Sequence, residues 1–488
     1  MSNTAIQGLK PEILWQRFYE ISQVPRPSKK EDKILVHLKK LANELNIEYV
    51  QDKVGNIVMK VPATPGYENA PTVVLQGHVD MVCEKNKSKQ HDFENDPITL
   101  LKEDGWITAD GTTLGSDNGI GVAAGLAIVT DKDAVHGPIE ILLTIDEETG
   151  LTGATNLKKG LFTGKILLNL DSEEDGAFYV GCSGGVDTVA EFKLDLTKIP
   201  SGTESYELLV TGLKGGHSGL DIEKGRGNAI KILGRGLKAL EELNYNIADM
   251  SGGSLRNAIP REAEAILFIK KSDVKKAKKI INEFYSNVYN EFKTPDGGLK
   301  IEFTKTKKSF KKVFKKSFTQ NIVNTIMAIP HGVIAMSPDI PGLVETSTNL
   351  ATIKITGKTL VIGTSQRSSV NSANQYIAKN VGAIFSLAGA KFETTDGYPG
   401  WKPNLDSNIL KLSKEVFVDL FGGEPLIKAI HAGLECGILD GKNPGLDMIS
   451  FGPTIEGAHS PDERISIKTV EKFYDLLKGI LKRLAEQN

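Results

Sequence analysis

Cysteine is scarce. Cys83, Cys182 and Cys436 are the only three in 488 residues, widely separated and odd in number. Such a set supports neither a disulfide framework nor a paired-thiolate zinc site, and a reducing compartment is expected. No run of about 18 apolar residues occurs, and the opening stretch MSNTAIQGLKPEILWQRF lacks the apolar segment of a secretion signal. A cytoplasmic protein with no membrane partner follows. Neither sign of charge is in surplus: 59 Lys plus Arg oppose 61 Asp plus Glu, leaving a formal net charge of −2. That balance provides no field to draw nucleic acid, so no nucleic-acid partner is expected. The local exception, KTKKSFKKVFKK over 305–316, reads as a solvated, partly amphipathic connector.

What is present is an ordinary globular composition, 40% hydrophobic and 25% charged. The length exceeds what one core of roughly 100–200 residues uses, so at least two domains are expected. Residues 11–45 carry apolar positions at helical spacing, broken at Val24-Pro25-Arg26-Pro27, and predict two helices. Short β-rich runs then follow at 56–61, 72–76, 139–145 and 165–170, with a helical run at 119–129. This alternation predicts an α/β domain with a largely parallel sheet flanked by helices. After Gly184-Gly185 the texture changes to strands at 186–194, 205–212 and 262–270 around a helix at 227–243. A comparable order recurs beyond the Lys-rich stretch, with strands at 347–355, 358–364 and 390–394 and a helix at 369–388. The final third returns to the first texture. The predicted architecture is an α/β catalytic domain in two parts, 1–185 and 397–488, interrupted by a two-part α+β insert over 186–396.

Histidine, aspartate and glutamate concentrate in five segments: GHVDMV (His78, Asp80), GSDNG (Asp117), DEETG (Glu147, Glu148), LDSEE (Asp171) and GAHSPDE (His459). Three of them follow predicted strands directly, and strand carboxyl ends are where open α/β sheets build sites. Alone, each segment reads blandly: Glu147-Glu148 as a solvated turn, His78 and His459 as structural histidines, Asp117-Asn118-Gly119 as a turn or helix cap. Their joint occurrence reverses those readings. A two-metal hydrolytic centre needs imidazole and carboxylate ligands, a bridging carboxylate and a separate base. His78 and Asp171 fit one divalent ion, Glu148 and His459 the other, Asp117 the bridge, and Glu147 the general base. Asp80, two residues beyond His78, points to the same face of an extended segment and can orient the imidazole. Such ligands accept zinc, cobalt or manganese, zinc being the first expectation.

The segments LQGHVDMVCEKN, TTLGSDNGIGVA, TIDEETGLTGA, LLNLDSEEDG, GGHSGLDIEKGRGNA and GPTIEGAHSPDERI together resemble the M20 metallopeptidases, most closely the aminoacyl-histidine dipeptidases. The resemblance runs over essentially the whole chain. It implies hydrolysis of dipeptides of the Xaa-His type, the five ligands named above, Asp80 and Glu147 in the same roles, and a cis Asp117–Asn118 peptide. It further implies that the insert is a lid closing over a dipeptide substrate. His217 of GGHSG would then stabilise the developing oxyanion, within its own chain or across a homodimer. Arg367 of SQRSS occupies a place where related dipeptidases clamp the substrate's carboxylate. Asn257 of LRNAIP, with His431 and Glu435 of HAGLECG, are further candidates for holding the substrate's ends.

Three competing readings are kept. Gly119–Gly125 with Asp146 imitates a dinucleotide-binding loop and its ribose acid, although no apolar strand delivers that loop. A metal-free binding relative would retain the fold and lose the chemistry, against the presence of all five ligands and Glu147. An N-acyl amino acid deacylase would keep the metals and change the substrate.

Overall fold

The computed structural model describes residues 4–487. By internal contacts it divides into two compact units: up to Gly181, 403–429 and from Leu434 onward in the first, and 182–402 with 430–433 in the second. The second unit thus runs a few residues beyond 186–396 at each end. It also includes a short return segment, 430–433, that the sequence reading had left in the third part.

In the first unit, helices Glu12–Ser22 and Asp32–Glu44 bury Leu14, Trp15, Phe18 and Ile21, then Ile34, Leu35, Leu38 and Leu41. That spacing places one apolar stripe of each helix in the core. Eight strands form the main sheet, in the order Glu48–Gln51, Ile57–Val61, Ile139–Thr144, Val73–His78, Ile166–Asn169, Asp447–Ser450, Ala177–Cys182 and Leu426–Ile430. Val73–His78 and Ile139–Thr144 are buried at every position, as strands covered on both faces must be.

The expectation of a largely parallel sheet needs correction, because the sheet is mixed. Its centre, from Ile139–Thr144 through Asp447–Ser450, runs parallel. Ile57–Val61 and Ala177–Cys182 flank that centre antiparallel. The reason is connection length: 62–72, which leads from Ile57–Val61 into the centre, and 170–176, which leads from it to Ala177–Cys182, are both shorter than the crossover of a dozen or more residues that a parallel strand needs. A separate antiparallel ladder joins Ile455–Glu456, Arg464–Ser466, Trp106–Ala109 and Leu100–Glu103. It clamps both ends of the loop that carries His459.

The second unit is built on one continuous antiparallel sheet. Its strand order is Lys300–Lys305, Thr203–Thr211, Ala263–Lys270, Asn246–Gly252, Val344–Thr356, Thr359–Ser368, Gly184–Lys193 and Lys391–Thr394. Helices Ala229–Ala239, Val274–Phe292, Lys316–Ala328 and Asn371–Leu387 contribute Leu233, Leu237, Ile281, Ile322, Ile326, Val381 and Phe385 to a core shared with the strands. Two of these helices, Val274–Phe292 and Lys316–Ala328, were not recognised from the sequence. A strand expected to open the first half also lies elsewhere: Gly184–Lys193 pairs with Thr359–Ser368 and Lys391–Thr394.

The Lys-rich stretch proves more ordered than a connector. Lys312–Phe314 pairs with Leu196–Lys198, and Val313 and Phe314 are completely buried. Its charges remain outside, with Lys308 paired to Glu207 and Glu264 and Lys315 to Asp195. No helix among the described residues is long and apolar enough to cross a membrane. Phe314→Ala should lower stability by about 3–5 kcal/mol, the cost of a cavity at a filled aromatic site. Lys312→Ala should stay within about 0.5 kcal/mol. Denaturant titration of both variants distinguishes a packed strand from a solvated linker.

Candidate metal centre

Three parallel neighbours deliver the first unit's chemistry to one edge of its sheet. Val73–His78 ends on His78 itself, Ile139–Thr144 runs into Glu147 and Glu148, and Ile166–Asn169 runs into Asp171. Asp117 arrives separately, in the first turn of helix Ser116–Ile128. The Asp117–Asn118 peptide is cis. Asn118 donates its side-chain amide to the Leu170 carbonyl at 2.7 Å, which ties the Asp117 turn to the segment carrying Asp171. Two glycines permit this approach, since a Cβ on Gly77 would strike the Asn118 side chain and one on Gly121 the Leu170 carbonyl. The glycines of 119–125 are therefore packing positions in a buried helix, and the carboxylate of Asp146 is occupied by the hydroxyls of Thr149 and Thr152.

Asp117 faces two histidines. Its Oδ1 lies 3.1 Å from His78 Nε2 and its Oδ2 lies 3.2 Å from His459 Nε2. Asp171 Oδ1 lies 3.4 Å from the same His78 nitrogen, and Glu148 Oε2 lies 3.1 Å from His459 Nε2. Ligand atoms around a zinc-type ion, each roughly 2.0–2.2 Å from it in a tetrahedron, stand about 3.3–3.6 Å apart. Two overlapping sets, His78–Asp117–Asp171 and Asp117–Glu148–His459, accordingly have the donor chemistry and spacing to hold a cation each. Glu148 Oε1 is buried without a hydrogen-bond partner, as an oxygen committed to a cation would be.

Electrostatics points the same way. Burial, reinforced by neighbouring carboxylates that include Asp171 and Glu435, pushes the Glu147 carboxyl well above its ordinary range. Burial and crowding do the same to Asp171, while Glu173 and Glu435 are each pushed up to about 7, by burial first. Hydrogen-bonding contact with Asp117 and then Glu148 raises His459 as well, up to about 11, which favours its charged form. More negative charge converges here than two imidazoles can neutralise, an excess that cations would meet.

Asp80 anchors the arrangement. Burial opposes its ionisation, yet hydrogen bonding to His78, to Ser28 and to backbone amides holds it down at about 2. Its Oδ1 lies 3.3 Å from His78 Nδ1, and its two oxygens accept the amides of Glu147 and Glu148 at 3.1 and 3.3 Å. One carboxylate thereby orients a candidate ligand and fixes the turn that presents Glu147.

Two residues overlooked in the sequence hold the centre's other side. Glu463, 2% exposed, accepts the backbone amides of Leu114, Gly115 and Ser116 at 2.7–2.9 Å and the Ser116 hydroxyl at 2.6 Å. The turn that ends in Asp117 is wrapped around this carboxylate. Glu463 lies four residues past His459, within the motif already singled out, but an acid in a polar loop gives no sign of its partners. Arg26, seen in the sequence only as part of a helix break, is also buried. Its guanidinium donates to the carbonyls of Val79, Asp80 and Gly115, pinning the His78 and Asp117 segments together. His459 adopts φ 64°, a left-handed conformation that residues other than glycine rarely take.

Glu435 is 1% exposed. Its Oε2 accepts from Gln76 at 2.6 Å and from Thr144 at 2.7 Å, and its Oε1 has no hydrogen-bond partner.

The remaining expected residues belong to the second unit. His217 Nδ1 accepts the amides of Gly219 and Leu220 at 3.2 and 3.1 Å, which leaves the ring proton on Nε2. Burial, aided by the positive charge of Arg367, lowers His217 to about 4, so it is a neutral donor. His217 and Asn257 line one cavity of about 730 Å³. Arg367 donates to Tyr398 at 2.9 Å and contacts Ser218 at 3.4 Å. His431 is wedged between the hydroxyls of Ser183 and Ser347, at 2.6 and 2.7 Å.

Glu463→Gln should reduce stability by about 2–3 kcal/mol, because a neutral amide replaces a buried charged acceptor of several amides. Denaturant titration measures the loss.

The chain also matches known proteins. The family model described as peptidase family M20/M25/M40 matches residues 74–483, a span that includes all five candidate ligands. The cytosol non-specific dipeptidase of Escherichia coli (strain K12) is 41% identical over 480 residues, covering 98% of this chain and 99% of its own. The crystal structure of aminoacylhistidine dipeptidase from Vibrio alginolyticus superposes with a TM-score of 0.91 at 41% identity, covering 98% of this chain and 97% of that one. The aminopeptidase PepT of Bacillus cereus shares the fold at a TM-score of 0.58 and 19% identity, over 98% of this chain and 100% of that one. With the family model matched across most of its length and a relative of that identity aligned nearly end to end, the chain belongs to peptidase family M20/M25/M40.

Proposed function

We propose that this peptidase is a metal-dependent dipeptidase that accepts Xaa-His dipeptides. The observation that carries the reading is Asp117, which offers one carboxylate oxygen to each of two histidines on opposite sides. Full-length similarity to two dipeptidases supports the substrate class. In this reading His78 and Asp171 would hold one divalent ion and Glu148 and His459 the other, with Asp117 as a ligand common to both. Zinc is the first candidate, with cobalt and manganese as alternatives. When bound, such ions acidify a water and polarise the peptide carbonyl.

The chain's own groups do the rest. Glu147 takes the proton of the attacking water and returns it to the leaving amine. Asp80 keeps His78 and the Glu147 turn in register. His217, neutral with its proton on Nε2, donates to the developing oxyanion. Arg367, together with Asn257, holds the substrate's terminal carboxylate, and the unpaired Oε1 of Glu435 is available to its ammonium group.

Glu147→Gln should retain its metal content by elemental analysis while turnover falls about 10³-fold. Retention of wild-type turnover would remove Glu147 as the base. Chelation followed by dialysis should abolish hydrolysis of an Xaa-His dipeptide, and zinc, cobalt or manganese should restore it. Comparing that dipeptide with an N-acetyl amino acid separates a dipeptidase from a deacylase, the dipeptide being preferred.

A further inference from the structure

Arg367 sits on strand Thr359–Ser368 with Gly185 as its cross-strand partner on one side and Ser347 on the other. A glycine beside a buried arginine leaves a gap on the sheet surface, and the ring of Tyr398 fills it. A Cβ on Gly185 would lie 2.9 Å from Tyr398 Cζ, and one on Gly433 would lie 2.7 Å from Cε2. The ring therefore occupies a slot that only glycines on its two sides leave open. Its backbone is fixed as well, since Tyr398 and Gly185 exchange two hydrogen bonds of 3.0 Å. The other wall of the slot belongs to the return segment 430–433. That segment is held by the Ser183 amide, which donates to the carbonyls of Ile430 and Ala432 at 3.1 and 3.0 Å. His431 secures it further through Ser183 and Ser347, and Ser347 is Arg367's other strand neighbour. At the end of this chain of contacts, the Tyr398 hydroxyl accepts Arg367 Nη1 at 2.9 Å.

We propose that Tyr398 is a positioning residue for substrate selection, locked between Gly185 and Gly433 so that its hydroxyl aims Arg367 at the terminal carboxylate of the dipeptide. The proposal rests on the assignment of Arg367 as the carboxylate clamp. Its physical basis is preorganisation. An arginine side chain has many rotamers to lose on binding, and a guanidinium already held by a rigid neighbour loses fewer. A tyrosine serving only as packing would have no reason to favour substrates bearing a carboxylate.

The test is steady-state kinetics of the metal-loaded wild-type enzyme, Tyr398→Phe and Arg367→Ala, with an Xaa-His dipeptide and its carboxyl-terminal amide. Tyr398→Phe keeps the ring and removes only the acceptor. It should raise KM for the free-acid dipeptide roughly ten-fold, the range of one hydrogen bond to a charged group. Its kcat should stay within about two-fold and its amide kinetics should be unchanged. Arg367→Ala should erase the preference for acid over amide altogether. An unchanged KM in Tyr398→Phe, or an equal rise for acid and amide, overturns the positioning role while the clamp stands. If Arg367→Ala keeps the wild-type preference for the acid, the clamp assignment falls and the role of Tyr398 falls with it.

Discussion

The constraint on which the first unit turns is repulsion among carboxylates. Asp80, Asp117, Glu147, Glu148 and Asp171 meet at one sheet edge, where His78 and His459 face them. Left to itself such a cluster would splay apart or take up protons. The surrounding structure opposes this by tying each loop to something rigid. Asp80 is bonded to the amides of the very turn that brings Glu147 and Glu148. Arg26 is a buried positive charge that binds carbonyls from two of the converging segments. The Asp117 turn closes around Glu463 as a ring of amides closes around an anion. Preorganisation of this kind is what allows a centre to receive cations without rearranging for them.

The second unit obeys a different logic, in which its polar groups are neutralised or occupied in advance. His431 has both ring nitrogens engaged by serine hydroxyls. His217 has one nitrogen saturated by amides, which leaves a single donor of known identity. Arg367, almost completely buried, has its guanidinium braced by a phenol. The first unit concentrates charge, whereas the second restricts direction.

How much of this could be read from the residues depended on whether the signal was local. The helices at 12–22 and 32–44 announce themselves through periodic apolar positions and an intervening Pro-x-Pro. His78, Glu148 and Asp171 were legible because each follows an apolar run, where a strand's exit is visible in the sequence, and Asp117 and His459 through the company they keep. Glu463 and Arg26 were not, because their partners are backbone amides and carbonyls, which carry no residue identity. The helix at 274–292 escaped notice because its buried face is thin: only Ala277, Ile281 and Val288 are fully buried in a segment crowded with lysine. The mixed direction of the main sheet depends on the lengths of turns, which a pattern of strands and helices does not weigh. The placement of Gly184–Lys193 is a long-range pairing on which local pattern is silent.

That last strand carries a consequence for how the molecule comes into being. Gly184 is among the earliest residues of its unit to be synthesised, yet its ladder partner is Ser368, and the strand on its other side begins at Lys391. At translation rates of roughly 5–20 residues per second, the strand waits on the order of ten seconds or more before either neighbour exists. During that interval its alternating apolar side chains and two rows of unpaired backbone groups are open to association with other chains. Completion of the insert is thus intrinsically late and dominated by distant contacts, a topology associated with slow folding. A peptidase of this design has reason to be accompanied through its synthesis, and its yield in the cell should depend on how well that exposed ribbon is sheltered.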